Sequence, residues 1–161
     1  MKPKVYIETT IVSYLTARPS RDAVVVARQQ VTSAWWRTRR GKFQLFVSRA
    51  VLAEVRQGDA EAAARRIEAM RDIPWLEVTV EAVSLGERLI REGGLPAKAT
   101  DDALHVALAA VHAMDYLLTW NCKHIDNAEM KPTMRTICML AGHPCPEICT
   151  PEELMGGTTD E

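Results

Sequence analysis

Three carboxylates and one amide occupy positions from which they can act together. Glu8 follows the apolar run Val5-Tyr6-Ile7, Glu54 lies in Ser48-Arg49-Ala50-Val51-Leu52-Ala53-Glu54-Val55, and Asp102 opens the run Asp102-Ala103-Leu104-His105-Val106-Ala107. Asn121 follows Leu117-Leu118-Thr119-Trp120. A carboxylate directly after a buried strand is uncommon unless something pairs with it. In an open parallel sheet, ligands bind beyond the carboxyl ends of the strands. Side chains that end strands, or open the helices after them, converge at that edge. Hard oxygen ligands suit Mg²⁺ or Mn²⁺ rather than zinc. A divalent ion held there activates a water for in-line attack on phosphorus, with the sugar 3′-oxygen leaving.

The elements that must position these residues are legible from the pattern. Val5–Ile7 reads as a buried first strand and Ile11–Leu15 as a short helix, with Ser20 capping a second helix that runs to about Thr38. Phe43–Ser48 reads as a second strand, and Arg49–Arg56 as a short helix with Val51, Leu52 and Val55 inward. Asp59 caps an alanine-rich helix to Met70, Ile73–Val78 reads as a third strand, and Glu81–Arg91 as a helix ended by Gly93-Gly94. Thr100 is placed as the cap of a helix buried nearly all round, with Asp101 and Asp102 in its first turn, where the helix dipole favours negative charge. Leu117-Leu118 forms a strand core, Pro132 starts a helix to about Leu140, and Ile148-Cys149 adds an edge strand. Strands alternating with helices predict a largely parallel sheet with helices on both faces. The expected organisation is one domain over 1–150, a tail over 151–161, and frayed chain from Gly156.

Composition narrows the function classes. The chain has 161 residues and a formal net charge of -1, so no global basic field announces a nucleic acid. Nothing approaches a membrane span or a signal-peptide core, which sets the cytoplasm as the expected location and reduced thiols as the expected state of the cysteines. Arg37, Arg39, Arg40 and Lys42 form the one strongly basic cluster, read either as a solvated face or as a holder of an RNA backbone. Trp35 and Trp36 read as core or dimer contacts. Cys122, His124, Cys138, His143, Cys145 and Cys149 suggest zinc only loosely, because no Cys-x-x-Cys pair is present.

Taken in order, the four segments around Glu8, Glu54, Asp102 and Asn121 resemble the PIN-domain family, and more narrowly the VapC-type toxins of bacterial toxin–antitoxin pairs. The matching order spans residues 5–121, about three quarters of the chain. The resemblance implies a three-layer α/β/α sandwich with a mainly parallel central sheet. It also implies a divalent-metal-dependent endoribonuclease acting as a toxin, with an RNA substrate, a small antitoxin protein as partner and a homodimeric state. On this reading Glu8, Glu54, Asp102 and Asn121 carry catalysis, and the first three ligate Mg²⁺ or Mn²⁺. Thr9, Asp101, His105 and Thr119 support those ligands. Two departures bear on activity. The family usually has aspartate at the position of Glu8 and often at that of Asn121, where the amide removes a charge. The alternative is a non-catalytic PIN-like module that binds RNA or a protein. Glu8 also reads as a helix cap, and His105 as a satisfied core histidine. A phosphoacceptor receiver domain is disfavoured, because no aspartate ends the third strand.

Overall fold

The computed structural model describes residues 1–157, and 158–161, most of the expected frayed tail, lie outside the described residues. Five strands of the described residues form one sheet: β1 (Lys4–Ile7), β2 (Gln44–Ser48), β3 (Trp75–Leu76), β4 (Tyr116–Leu118) and β5 (Glu147–Cys149). Their spatial order is β3-β2-β1-β4-β5, and every pairing is parallel. Among the described residues, seven α-helices connect or follow them: α1 (Thr9–Thr16), α2 (Ala23–Thr38), α3 (Arg49–Val55), α4 (Ala60–Ala69), α5 (Val80–Arg91), α6 (Thr100–Val111) and α7 (Lys131–Leu140). Helix α1 contacts α2, α3 and α4, α3 contacts α4, and α5 contacts both α6 and α7, giving the α/β/α layering expected of the sequence.

β1 is the middle strand. Val5, Tyr6 and Ile7 are all fully buried, as a strand covered on both faces requires. The chain builds outward from β1 through β2 to β3, then returns to the other side of β1 with β4 and β5. The order therefore reverses between β1 and β4. In a parallel sheet this reversal opens a crevice at the strands' carboxyl ends, and Glu8 and Thr119–Asn121 stand at its two sides.

Three details differ from the sequence expectation. Asp22, not Ser20, caps α2, its Oδ1 accepting from the Val25 N–H at 3.0 Å, while Ser20 Oγ accepts from the Asp22 N–H. Thr100 does not cap α6. Ala99 is the capping residue, and Thr100 already lies within the helix, exposed. The third strand shrinks to Trp75–Leu76, because β3 is an edge strand paired only with the end of β2.

Trp35 belongs to the core of its own chain. It is fully buried, stacks on Phe43 with ring centroids 5.7 Å apart, and donates its indole N–H to the Leu154 carbonyl at 3.2 Å. That bond ties the turn after β5 onto the domain, so the first part of the expected tail is packed structure. It also removes Trp35 from any surface available to a second copy. We expect Trp35→Ala to cost about 3–5 kcal/mol in chemical denaturation, the usual range for emptying a buried tryptophan site. The variant's mass by light scattering should match that of wild type; a selective loss of a dimer would contradict the core placement.

Candidate active site

The crevice between β1 and β4 is built by hydrogen bonds among strand ends. Glu8 leaves β1 with its backbone N–H bonded to the Leu118 carbonyl, then caps α1, Oε2 accepting from the Thr10 N–H at 3.2 Å. Its Oε1 accepts from two hydroxyls, Thr10 Oγ1 at 2.5 Å and Thr119 Oγ1 at 2.6 Å. Those hydroxyls in turn accept backbone N–H groups from Trp120 and Asn121. Two threonines thus clamp the loop after β4 onto a carboxylate that is only 3 % exposed. Capping and site placement are one arrangement at Glu8.

Asp102 faces the same loop from the first turn of α6. Asn121 Nδ2 donates to its Oδ1 at 3.0 Å, and His124 Nδ1 donates to its Oδ2 at 2.8 Å. Asn121 Oδ1 accepts the His124 backbone N–H at 3.0 Å. Glu8, Thr119, Asn121 and Asp102 are therefore joined in one continuous hydrogen-bonded chain. Asp101 points away from it, exposed, and lines a groove between α5 and α6.

Glu54 enters from α3, which Ser48 caps by accepting the Val51 N–H. Its carboxylate bonds to Nε2 of His105, which stands three residues after Asp102 on the inner face of α6. The other ring nitrogen, Nδ1, is 2.7 Å from the Tyr6 hydroxyl, and that hydroxyl is 2.7 Å from Ser48 Oγ. A buried line of side chains thus runs from β2 through β1 and α6 to Glu54. Burial, above all, holds the Tyr6 phenol far above its ordinary pKa. For His105, burial works to lower the pKa, but the Glu54 hydrogen bond and the charges of Glu8, Glu54 and Asp102 outweigh it, and the net shift is upward. All three carboxylates therefore act on one buried imidazole.

That shift has a sign in stability. A group whose folded pKa lies above its unfolded value contributes stability fully below the unfolded pKa, and loses it as pH rises through the folded one. With a chelator present, wild-type melting temperature should fall as pH rises above the ordinary histidine value of 6.5. His105→Gln should be less stable throughout but flatter over that window. Thermal melts from about pH 6 to about pH 9 check this; parallel curves would remove His105 from among the carboxylates.

In kind, these residues fit a hard divalent cation. The donor set is oxygen, and Thr9 Oγ1, beside Glu8, is buried with no hydrogen-bond partner. Among the described residues, however, no three His, Cys, Asp or Glu side chains close into a cage. Each carboxylate is engaged by the protein instead: Glu8 by threonines, Glu54 by His105, Asp102 by Asn121 and His124. The zinc alternative has no support in the arrangement. The four cysteines are free, Cys138 and Cys149 are buried, Cys122 is exposed, and His124 is bonded to Asp102.

No protein-family model matches the chain, and neither does any curated protein. Solved structures do. One is VapC20 of Mycobacterium tuberculosis, described as a sarcin-ricin loop cleaving toxin, at 18% identity and a TM-score of 0.52, over 70% of this chain and 86% of that one. Another is VapBC2 of Rickettsia felis, bound to a DNA fragment from its promoter, at 13% identity and a TM-score of 0.58, over 91% of this chain and 98% of that one. The chain has the PIN-like fold of VapC toxins. The likeness is one of fold; the side chains in the crevice are this chain's own.

Within this PIN-like domain, the basic cluster lies away from the crevice. Arg37 and Arg39 end α2, and Arg40–Lys42 form the short turn that leads into β2. They therefore sit at the amino ends of the strands, the edge opposite Glu8. Arg39 lies over Phe43 and Arg40 over Trp36, at 5.8 and 4.4 Å from the ring centroids, so both cover apolar surface of their own chain. Lys123, by contrast, lies in the loop between Asn121 and His124, and Arg28 lies over Trp120, 5.1 Å from its ring centroid. Thr10 is a site residue that the sequence did not single out, and His124 is one that it offered only as a loose zinc ligand, not as a partner of Asp102. Thr10 had a signal, since a threonine two residues after a strand-end glutamate can bond back to it. His124 had none beyond its spacing from Asn121.

Proposed function

We propose that this chain is a divalent-metal-dependent endoribonuclease that hydrolyses RNA phosphodiester bonds as the toxin of a toxin–antitoxin pair. The observation that carries the reading is the hydrogen-bonded chain Glu8–Thr119–Asn121–Asp102 across the β1–β4 crevice, with Glu54 brought alongside through His105. Glu8, Glu54 and Asp102 would hold Mg²⁺ or Mn²⁺. When bound, the ion supplies charge stabilisation at phosphorus and a lowered water pKa. The chain's own residues do the rest. Thr10 and Thr119 orient Glu8, His105 orients Glu54, and Asn121 and His124 orient Asp102. Asn121 also leaves the site one charge short of a four-acid arrangement, which favours a single ion.

The fold likeness to VapC20 and VapBC2 supports an RNA substrate and a small antitoxin partner. A homodimer remains part of the reading, although not through Trp35. Lys123 and Arg28 offer backbone contacts at the crevice in place of the distant Arg37–Lys42 cluster. Among the described residues no helix is long and apolar enough to cross a membrane, which accords with a cytoplasmic site of action.

Inducible expression in a bacterial host tests the toxin reading. Wild type should arrest growth with loss of RNA integrity, and Glu54→Gln should not. Normal growth with wild type at confirmed expression would move the chain to the non-catalytic class, a PIN-like module that binds RNA or protein.

A further inference from the structure

The geometry points to His124 as a reader of the ribose 2′-hydroxyl, so that the crevice selects RNA over DNA through one imidazole nitrogen. This inference rests on the RNA-cleaving reading above. His124 is fixed by a closed ring of three bonds: its backbone N–H to Asn121 Oδ1, its Nδ1 to Asp102 Oδ2, and Asn121 Nδ2 to Asp102 Oδ1, at 3.0, 2.8 and 3.0 Å. A carboxylate only accepts hydrogen bonds, so the proton of the neutral ring sits on Nδ1 and the lone pair on Nε2. Nε2 has no partner among the described residues, yet it is not one of the buried orphaned atoms, and the side chain is 23% exposed. It is therefore an oriented acceptor open to solvent beside Asp102. His105 is the contrast: it is 1% exposed and both its nitrogens are engaged.

A lone pair at the mouth of a phosphodiester site selects a donor. Phosphate oxygens are acceptors and are repelled by it. The 2′-hydroxyl is a donor carried by every RNA nucleotide and by no DNA nucleotide. Base amino groups are donors as well, but only some bases carry them, so they give sequence preference rather than RNA preference. The ring of bonds through Asn121 also gives that residue a task that aspartate would not perform, since only the amide can donate to Asp102 while accepting from the His124 backbone.

Fluorescence anisotropy with the full chain tests the assignment, in chelator so that no strand is cut. The probes are a mixed-sequence single-stranded RNA and the same strand with 2′-fluoro sugars, which keep the pucker but lose the donor. Wild type should bind the RNA about fivefold more tightly, the factor for one neutral hydrogen bond. His124→Ala should bind both strands equally, with wild type's affinity for the fluoro strand. His124→Gln, which keeps an acceptor at a similar reach, should restore part of the preference. Equal binding of both strands by wild type, or an equal loss on both strands in His124→Ala, would overturn the assignment. Cleavage of the RNA by wild type in Mn²⁺ is scored separately. Preference without cleavage defeats the nuclease reading and keeps His124 as reader, while cleavage without preference does the reverse.

Discussion

Asp102→Asn should abolish the rise of melting temperature with Mn²⁺ and lower RNA cleavage by at least about a hundredfold, since loss of a mere supporting contact already costs about 10–100-fold. Asp102 belongs to α6 through its own backbone and is joined to the β4 side of the crevice through Asn121 and His124. An amide there keeps one acceptor for Asn121 but turns its NH₂ toward His124. The imidazole can answer by moving its proton to Nε2 and accepting at Nδ1. The metal-free fold should therefore lose only about 1 kcal/mol, the net worth of one hydrogen bond. The two effects separate cleanly in melting curves against Mn²⁺ concentration. If wild type and Asp102→Asn respond identically, the ion does not bind at Asp102.

Asn121→Asp should move stability in opposite directions with and without metal. The amide N–H that now donates to Asp102 Oδ1 becomes a carboxylate oxygen facing another at 3.0 Å. Two like charges at that distance raise each other's pKa and strain the loop. In chelator the variant should lose about 1–3 kcal/mol, the range for a part-buried polar group left without its partner. A divalent cation reverses the sign, because it binds the folded chain alone and stabilises it by mass action. Mn²⁺ should bind about tenfold more tightly than to wild type, equivalent to about 1.4 kcal/mol. Equal melting temperatures of variant and wild type in chelator would contradict the contact between Asn121 and Asp102.

Residues whose places follow from local chain direction were legible in the sequence. Glu8 ends a strand, Asp102 opens a helix, and Asn121 follows a strand, so their common edge came from topology before any contact was known. Pairings between distant segments were not legible. Nothing in the sequence says that Thr10 meets the β4 loop, that Tyr6 and Ser48 back His105, or that His124 rather than solvent holds Asp102. Ser20 and Thr100 misled because each carries the right capping chemistry one or two residues from where the backbone turns. The place of the basic cluster was hidden for a different reason. A helix that precedes a parallel strand ends at that strand's amino edge, so Arg37–Lys42 follow α2 to the side away from the crevice. Trp35 and Trp36 show the limit of composition: adjacent tryptophans signal large apolar burial, but whether inside one chain or between two depends on a contact with Leu154 more than a hundred residues away.

Metal-dependent hydrolysis at Asp102 is read from cleavage of single-stranded RNA by the purified chain, with Mg²⁺ or Mn²⁺ in one arm and EDTA in the other. Water attack with departure of the 3′-oxygen leaves a 5′-phosphate on one fragment and a 3′-hydroxyl on the other. Internal cuts with those ends are expected in metal, none in EDTA, and none in either arm with Asp102→Asn. Cuts that persist in EDTA and in Asp102→Asn would contradict metal-dependent hydrolysis at Asp102, as would fragments ending in a 2′,3′-cyclic phosphate.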